Sequence, residues 1–297
     1  METFRVRDAG TWQSASFCLL LFAAAFTLLS ILTHNSTQIA LSPNALLPIF
    51  GGGLLIGLIL WYIMPRTSLV RADLFVLVTA TLFVIQSLSN MIEAYFFTSS
   101  FSSPGVFAWG IGVKLVLACG EAGAAVLLFT PQESRLSLIP GLREYLSHRS
   151  TRSWAWRMIA GSVLYLPVYF LFGALISSFV IPFYTDPTLG LTIPSISLII
   201  PLELIRGFLY MCVLMPWFAM LKIPRRSMMA LLALILYIPG ALIPLLTVSS
   251  LPPQIIPFHL VEILCDTIGY GILLTLALYT PQSVTIPAHS PDAGIDG

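Results

Sequence analysis

Residues 195–221 read SISLIIPLELIRGFLYMCVLMPWFAML, and Glu203 and Arg206 are the only charged side chains in the run. A helix rises 1.5 Å per residue and crosses the roughly 30 Å hydrocarbon layer in about 20 residues. This run is long enough to cross. Pro201 and Pro216 would weaken an isolated helix, but neighbouring helices can satisfy the freed backbone groups inside a membrane bundle. The stretch therefore reads as a transmembrane helix carrying an acid and a base one turn apart.

Seven further stretches share this character, at about 13–33, 45–64, 73–98, 105–130, 155–180, 228–247 and 256–280. Turn chemistry separates them, as at Ser42-Pro43-Asn44, Ser103-Pro104-Gly105, Asp186-Pro187 and Pro252-Pro253. The whole chain agrees: of 297 residues 57% are hydrophobic and 9% charged, against about 25% charged in an ordinary soluble domain. A soluble enzyme, a disordered chain and a disulfide-stapled secreted module are excluded. The expectation is an all-α, polytopic membrane helix bundle of eight transmembrane helices. Arg5 and Arg7 precede the first span, but its apolar run is long for a signal peptide and no A-x-A site follows, so it reads as a retained helix. Cys18, Cys119, Cys212 and Cys265 all fall in apolar runs and read as small buried hydrophobes.

Charge placement orients the bundle. Of the fourteen Lys and Arg residues, twelve lie before the first span or in the connections between spans two and three, four and five, and six and seven. The remaining two, Lys114 and Arg206, lie inside spans. Basic loops stay cytoplasmic, which places the protein in the plasma (cytoplasmic) membrane with both termini inside. A net charge of +1 leaves no footprint for a nucleic-acid partner.

Boundary motifs recur. Met64-Pro65-Arg66 ends the second span and Ile223-Pro224-Arg225 the sixth; Phe129-Thr130-Pro131-Gln132 ends the fourth and Tyr279-Thr280-Pro281-Gln282 the eighth. This suits two parallel four-helix repeats, an N-terminal half at 1–132 and a C-terminal half at 158–282. Between them, residues 133–157 mix Arg143, Arg149, Arg152 and Arg157 with Leu142, Tyr145, Trp154 and Trp156. That pattern reads as a cytoplasmic amphipathic connector at the lipid interface, with a protein partner docking there as the other use. The tail, 283–297, is short, contains Pro and Gly, and reads as disordered.

The spans contain Glu93, Lys114, Glu121, Glu203, Arg206, His259, Glu262 and Asp266. Each charge at mid-bilayer costs about 2.5–3.5 kcal/mol on the insertion scale, so such groups must meet each other, water or a ligand. Counted at the helical rise, seven of the eight lie about 5–17 Å below the external surface; Glu121 alone lies deeper, at about 24 Å. His259, Glu262 and Asp266 form one helical stripe; Asn90 and Glu93 share a face, as do Glu203 and Arg206. Glu93, Glu203, Arg206, His259, Glu262 and Asp266 are thus the expected substrate- or ion-binding residues, with Lys114 and Glu121 as relay or packing groups. Four carboxylates against Lys114 and Arg206 leave a balance of −2, which two protons, one divalent cation or a cationic substrate would neutralise. His259 and Glu262 also suit a metal such as zinc or iron.

Glu203-Leu204-Ile205-Arg206-Gly207 resembles the Glu-rich motif of the CPBP intramembrane protease family, which also has about eight spans. That motif has two adjacent glutamates and one more residue before the arginine, and the family needs two further histidine-bearing helices. Here the likeness covers only this stretch, and His259 is the one histidine within a span. No G-x-S-x-G, H-E-x-x-H, P-loop or G-x-G-x-x-G occurs. Gly51-Gly52-Gly53 reads as close packing or a kink, and Asn35-Ser36-Thr37 is a glycosylation-type triplet.

Three functions fit these residues. The first is a cation- or proton-coupled transporter or permease. The second is an intramembrane enzyme, with or without a metal, acting on lipid or peptide at the outer leaflet. The third is a non-catalytic membrane subunit of a larger complex. The topology is directly testable: a reporter fused within 131–153 is expected on the cytoplasmic side and one within 186–195 outside. External exposure of the first would invert the arrangement.

Overall fold

The computed structural model describes residues 9–35, 46–67, 69–101, 103–130, 136–247 and 251–280. Arg5, Arg7, most of the 35–37 triplet, Arg135 and the 283–297 tail lie outside the described residues.

Nine helices organise the described residues. They are α1 (Ala9–Asn35), α2 (Leu46–Arg66), α3 (Arg71–Phe97), α4 (Pro104–Phe129), α5 (Leu138–Ser147), α6 (Thr151–Tyr184), α7 (Ile196–Met220), α8 (Arg225–Thr247) and α9 (Ile256–Leu278). All but α5 are long and apolar enough to cross a membrane, eight in number. The described residues contain no β-strand, only two isolated bridges. The chain is an all-α multi-pass membrane bundle, as its hydropathy requires.

Small residues decide how close the helices come. In α2, a Cβ on Gly53 would sit 3.0 Å from the Ala23 backbone of α1, and one on Gly52 would sit 2.8 Å from Ile243 of α8. The glycine run is therefore a packing face. In α7, a Cβ on Gly207 would collide with the Ser162 carbonyl of α6. At that crossing the Tyr270 hydroxyl of α9 lies 2.9 Å from the Gly161 carbonyl and 3.1 Å from that of Gly207, tying α6, α7 and α9 together. Trp217, fully buried, donates to Thr81 Oγ1 at 2.9 Å and links α7 to α3.

Three spans are irregular, and in two of them a proline is the sequence cause. The α6 helix breaks at Leu164, between Thr151–Val163 and Tyr165–Tyr184, just before Pro167, which has no N–H for the preceding turn. The α3 and α8 helices each contain a π-turn, Phe83–Leu88 and Ile238–Leu242, and the two π-turns pack on each other. In α8, Pro244 cannot supply the helical donor to the Gly240 carbonyl. Asn90 of α3 does so instead, with Nδ2 2.8 Å from the Gly240 oxygen and 3.1 Å from its own Gln86 carbonyl.

The two ends of the bundle differ. At the basic end, α5 lies against the core: Asp73 accepts from the Leu138 N–H at 2.6 Å, and the Tyr145 hydroxyl donates to the Leu278 carbonyl at 2.6 Å. Tyr145 and Trp154 of the connector are buried in protein, Trp154 donating to the Leu146 carbonyl, while Ile139 and Trp156 point outward. Only part of the aromatic set that the sequence pattern assigns to the lipid interface is therefore free to meet lipid. At the opposite end, the loop after α3 pairs with the α6–α7 loop: Ser99 N–H to Gly190 O and Thr192 N–H to Phe97 O, both 2.9 Å. Gly190 adopts φ +63 there, a conformation glycine takes at little cost. Asp186 Oδ1 accepts from the Thr188 N–H and hydroxyl, which holds its carboxyl below the ordinary range.

The Asn90–Gly240 bond predicts a measurable cost. Asn90→Leu leaves a buried carbonyl unpaired and is expected to destabilise the bundle by about 1–3 kcal/mol. Thermal unfolding of the purified protein in detergent would show it, and an unchanged midpoint would count against the compensating role.

Candidate functional site

Beneath the paired loops a cavity of about 330 Å³ opens between α3, α6, α7, α8 and α9. Its size falls at the lower end of ligand pockets, roughly 300–1,000 Å³. Asn90 and Glu93 enter from α3, Arg206 and Tyr210 from α7, Gly240 from α8, and His259, Glu262, Asp266 and Tyr270 from α9. Phe97 and Ile193, beside the paired loops, border its upper end.

Arg206 anchors the polar wall. Its Nη1 lies 2.9 Å and 3.1 Å from the two oxygens of Glu203, one turn earlier on α7. Its Nη2 lies 2.9 Å from Glu93 Oε2 on α3 and 3.4 Å from the Tyr210 hydroxyl. The Tyr165 ring stacks beneath the guanidinium, 5.6 Å from ring centre to Cζ. Glu203 is wholly buried, whereas the Glu93 side chain keeps 34% of its exposure, toward the cavity. The planar five-donor fork of arginine suits a clamp between two carboxylates where lysine would not. One donor, Nε, has no partner.

The α9 stripe forms the facing wall. His259 Nδ1 lies 2.7 Å from Glu262 Oε2, and its Nε2 lies 3.5 Å from the Tyr184 hydroxyl of α6. The other Glu262 oxygen approaches α6 where Gly173 makes room; a Cβ there would sit 3.1 Å from Oε1. One turn deeper, Asp266 is 3% exposed and its Oδ1 has no hydrogen-bond partner.

The six residues expected to bind substrate or ion thus share one region: five border the cavity, and Glu203 stands behind Arg206. The two relay or packing groups lie apart from it. Neither Lys114 nor Glu121 borders the cavity. Lys114 forms no ion pair or hydrogen bond among the described residues, and Glu121, fully buried on α4, receives one bond from Gln86 Nε2 at 3.3 Å. Without Lys114, the cavity is lined by three carboxylates and one arginine, with Glu203 behind that arginine. Nor does the site lie evenly between the two proposed halves: α3 alone represents the first.

Sequence reasoning missed the α6 wall. Tyr165, Tyr169, Gly173, Ser177 and Tyr184 all border the cavity. Their near-regular spacing of about four residues was the available signal, one face of a helix carrying hydroxyls through lipid. They bear no charge, so a search for ionised groups passes over them. As for a metal, His259 and Glu262 are hydrogen-bonded to each other, and among the described residues no three His, Cys, Asp or Glu side chains converge as a metal-holding group.

The clamp makes a stability prediction. Arg206→Ala strands Glu203 without a counter-charge in a dry site and should cost about 3–5 kcal/mol. The double variant Glu203→Gln/Arg206→Met should recover part of that loss in thermal unfolding; if it is no better than Arg206→Ala, the clamp is not what holds α7 to α3. No protein-family model, curated protein or solved structure matches the chain, so the functional reading rests on this geometry.

Proposed function

We propose that the protein is a permease that admits a cationic solute from the extracytoplasmic side into this cavity, with transport coupled to a cation or proton. One observation carries the reading. Three carboxylates, Glu93, Glu262 and Asp266, line a cavity with one arginine, and that arginine is already held by Glu93 and, from behind, by Glu203. An excess of acidic over basic side chains in a low-dielectric wall favours protons or positive ligands. With the basic loops cytoplasmic, the cavity lies under the external surface of the plasma membrane and both termini are inside.

The irregular helices support the same reading. Transporters place solute sites beside broken helices, whose joints let one group of helices move against another. Here the α6 break and the π-turns of α3 and α8 all lie in helices that wall the cavity.

A second reading, an intramembrane enzyme on lipid or peptide, draws on the His259–Glu262 pair, since a carboxylate that orients a histidine is a common acid–base arrangement. Among the described residues no cysteine lines the cavity, and the lining hydroxyls of Ser177 and Thr267 donate to their own helices.

The test is flux. Purified protein in liposomes, with a cation or proton gradient imposed, should discharge the gradient. Asp266→Asn and Glu262→Gln should remove most of that discharge while leaving thermal unfolding near that of the parent. Flux indifferent to both substitutions, or absent from the parent for protons and every cation tried, would remove the permease reading.

A further inference from the structure

The cavity has a mismatch with inorganic cations. Its 330 Å³ equals the liquid volume of about ten waters, far more than a bare ion fills. A hard divalent cation wants about six to eight oxygen ligands converging at one point, yet no three acidic or histidine side chains among the described residues converge in this way. The charged groups are instead spread around the wall, and most are already engaged. Glu93 and Glu203 hold Arg206, and Glu262 holds His259. Asp266 Oδ1 is the buried acceptor left without a partner, in a 3% exposed side chain bordering the cavity, while Glu93 keeps part of its carboxylate exposed toward the same space.

The α6 wall is aromatic. Tyr165, Tyr169, Phe170 and Tyr184 line the cavity from α6. Ring faces attract diffuse, weakly hydrated positive charge and pack against carbon skeletons. A buried acceptor and a row of rings lining one cavity are the complement of a protonated amine on a hydrocarbon body.

We infer that the cavity's ligand is a small alkyl- or arylammonium ion, its N–H groups directed to Asp266 and its carbon skeleton laid along the α6 rings. The inference rests on the cation-permease reading for its biological setting but is tested by binding alone.

The probe is protonated phenethylamine, with 2-phenylethanol as the uncharged molecule of similar shape, titrated calorimetrically into the full chain in nanodiscs at neutral pH. Phenethylamine should bind saturably and 2-phenylethanol about tenfold or more weakly; sodium and calcium chloride at matched ionic strength should not compete. Asp266→Asn should weaken binding by about tenfold or more. Tyr169→Phe should bind like the parent and Tyr169→Leu about fivefold more weakly, a contrast that holds even if the Asp266 variant fails to fold. No saturable binding of phenethylamine, equal binding of the neutral analogue, competition by calcium, or indifference to Tyr169→Leu would each overturn the inference. Liposome flux of protons or inorganic cations without amine binding leaves the permease reading standing and sinks the ligand class. Amine binding without any flux does the reverse.

Discussion

The constraint behind this structure is that charge in lipid must find charge. Arg206 is the centre of that accounting. Its guanidinium is gripped by Glu203 from its own helix and Glu93 from α3, so one buried cation fixes the distance between two spans. Such a pair contributes little net stability once desolvation is subtracted, yet its loss is costly because it leaves the partner stranded. Its value lies in specifying one arrangement: Glu93 of α3 reaches Arg206 of α7 only when the two helices meet in this register. That register also sets one wall of the cavity, because Glu93 reaches the clamp with part of its carboxyl still exposed.

The same accounting applies to the backbone. A proline in a membrane helix frees a carbonyl that water cannot reach, and the fold must supply another donor. Asn90 does so for the Gly240 carbonyl, above Pro244. The substitution of a side-chain donor for a backbone one ties α3 to α8 beside the cavity. The α6 break and the α8 π-turn reach the cavity through Tyr165 and Gly240, and the α3 π-turn packs against the one in α8. Regular helices would pack shut; helices with displaced turns leave space between them.

Much of this was legible in the residues. The apolar run from Ser195 to Leu221 announces a span because length and hydropathy alone decide whether a helix can cross lipid. The convergence of Glu93, Arg206, His259, Glu262 and Asp266 was legible too, because depth follows from the helical rise and face follows from the period. Lys114 shows where such reasoning stops. It stands at a similar depth to Arg206, yet it sits on α4, on the far side of α3 from the cavity's other walls, and its charge takes no part. Depth and face place a residue on its own helix; they do not say which helices are neighbours.

The α6 wall makes the same point from the other side. Tyr165, Tyr169 and Tyr184 carry no charge, so nothing in the energetics of insertion forces them to find partners, and the sequence attaches no urgency to them. Only the packing of α6 against α7 and α9, made close by Gly207 and Gly173, turns that face inward. The amino-acid sequence by itself determined that the chain is an eight-span bundle with buried acids and bases near one surface, because solvation in lipid acts on each helix separately. The tertiary structure alone decided which of those groups meet, that an arginine is shared by two helices, and that tyrosines complete the cavity, because those outcomes depend on contacts between helices far apart in the chain.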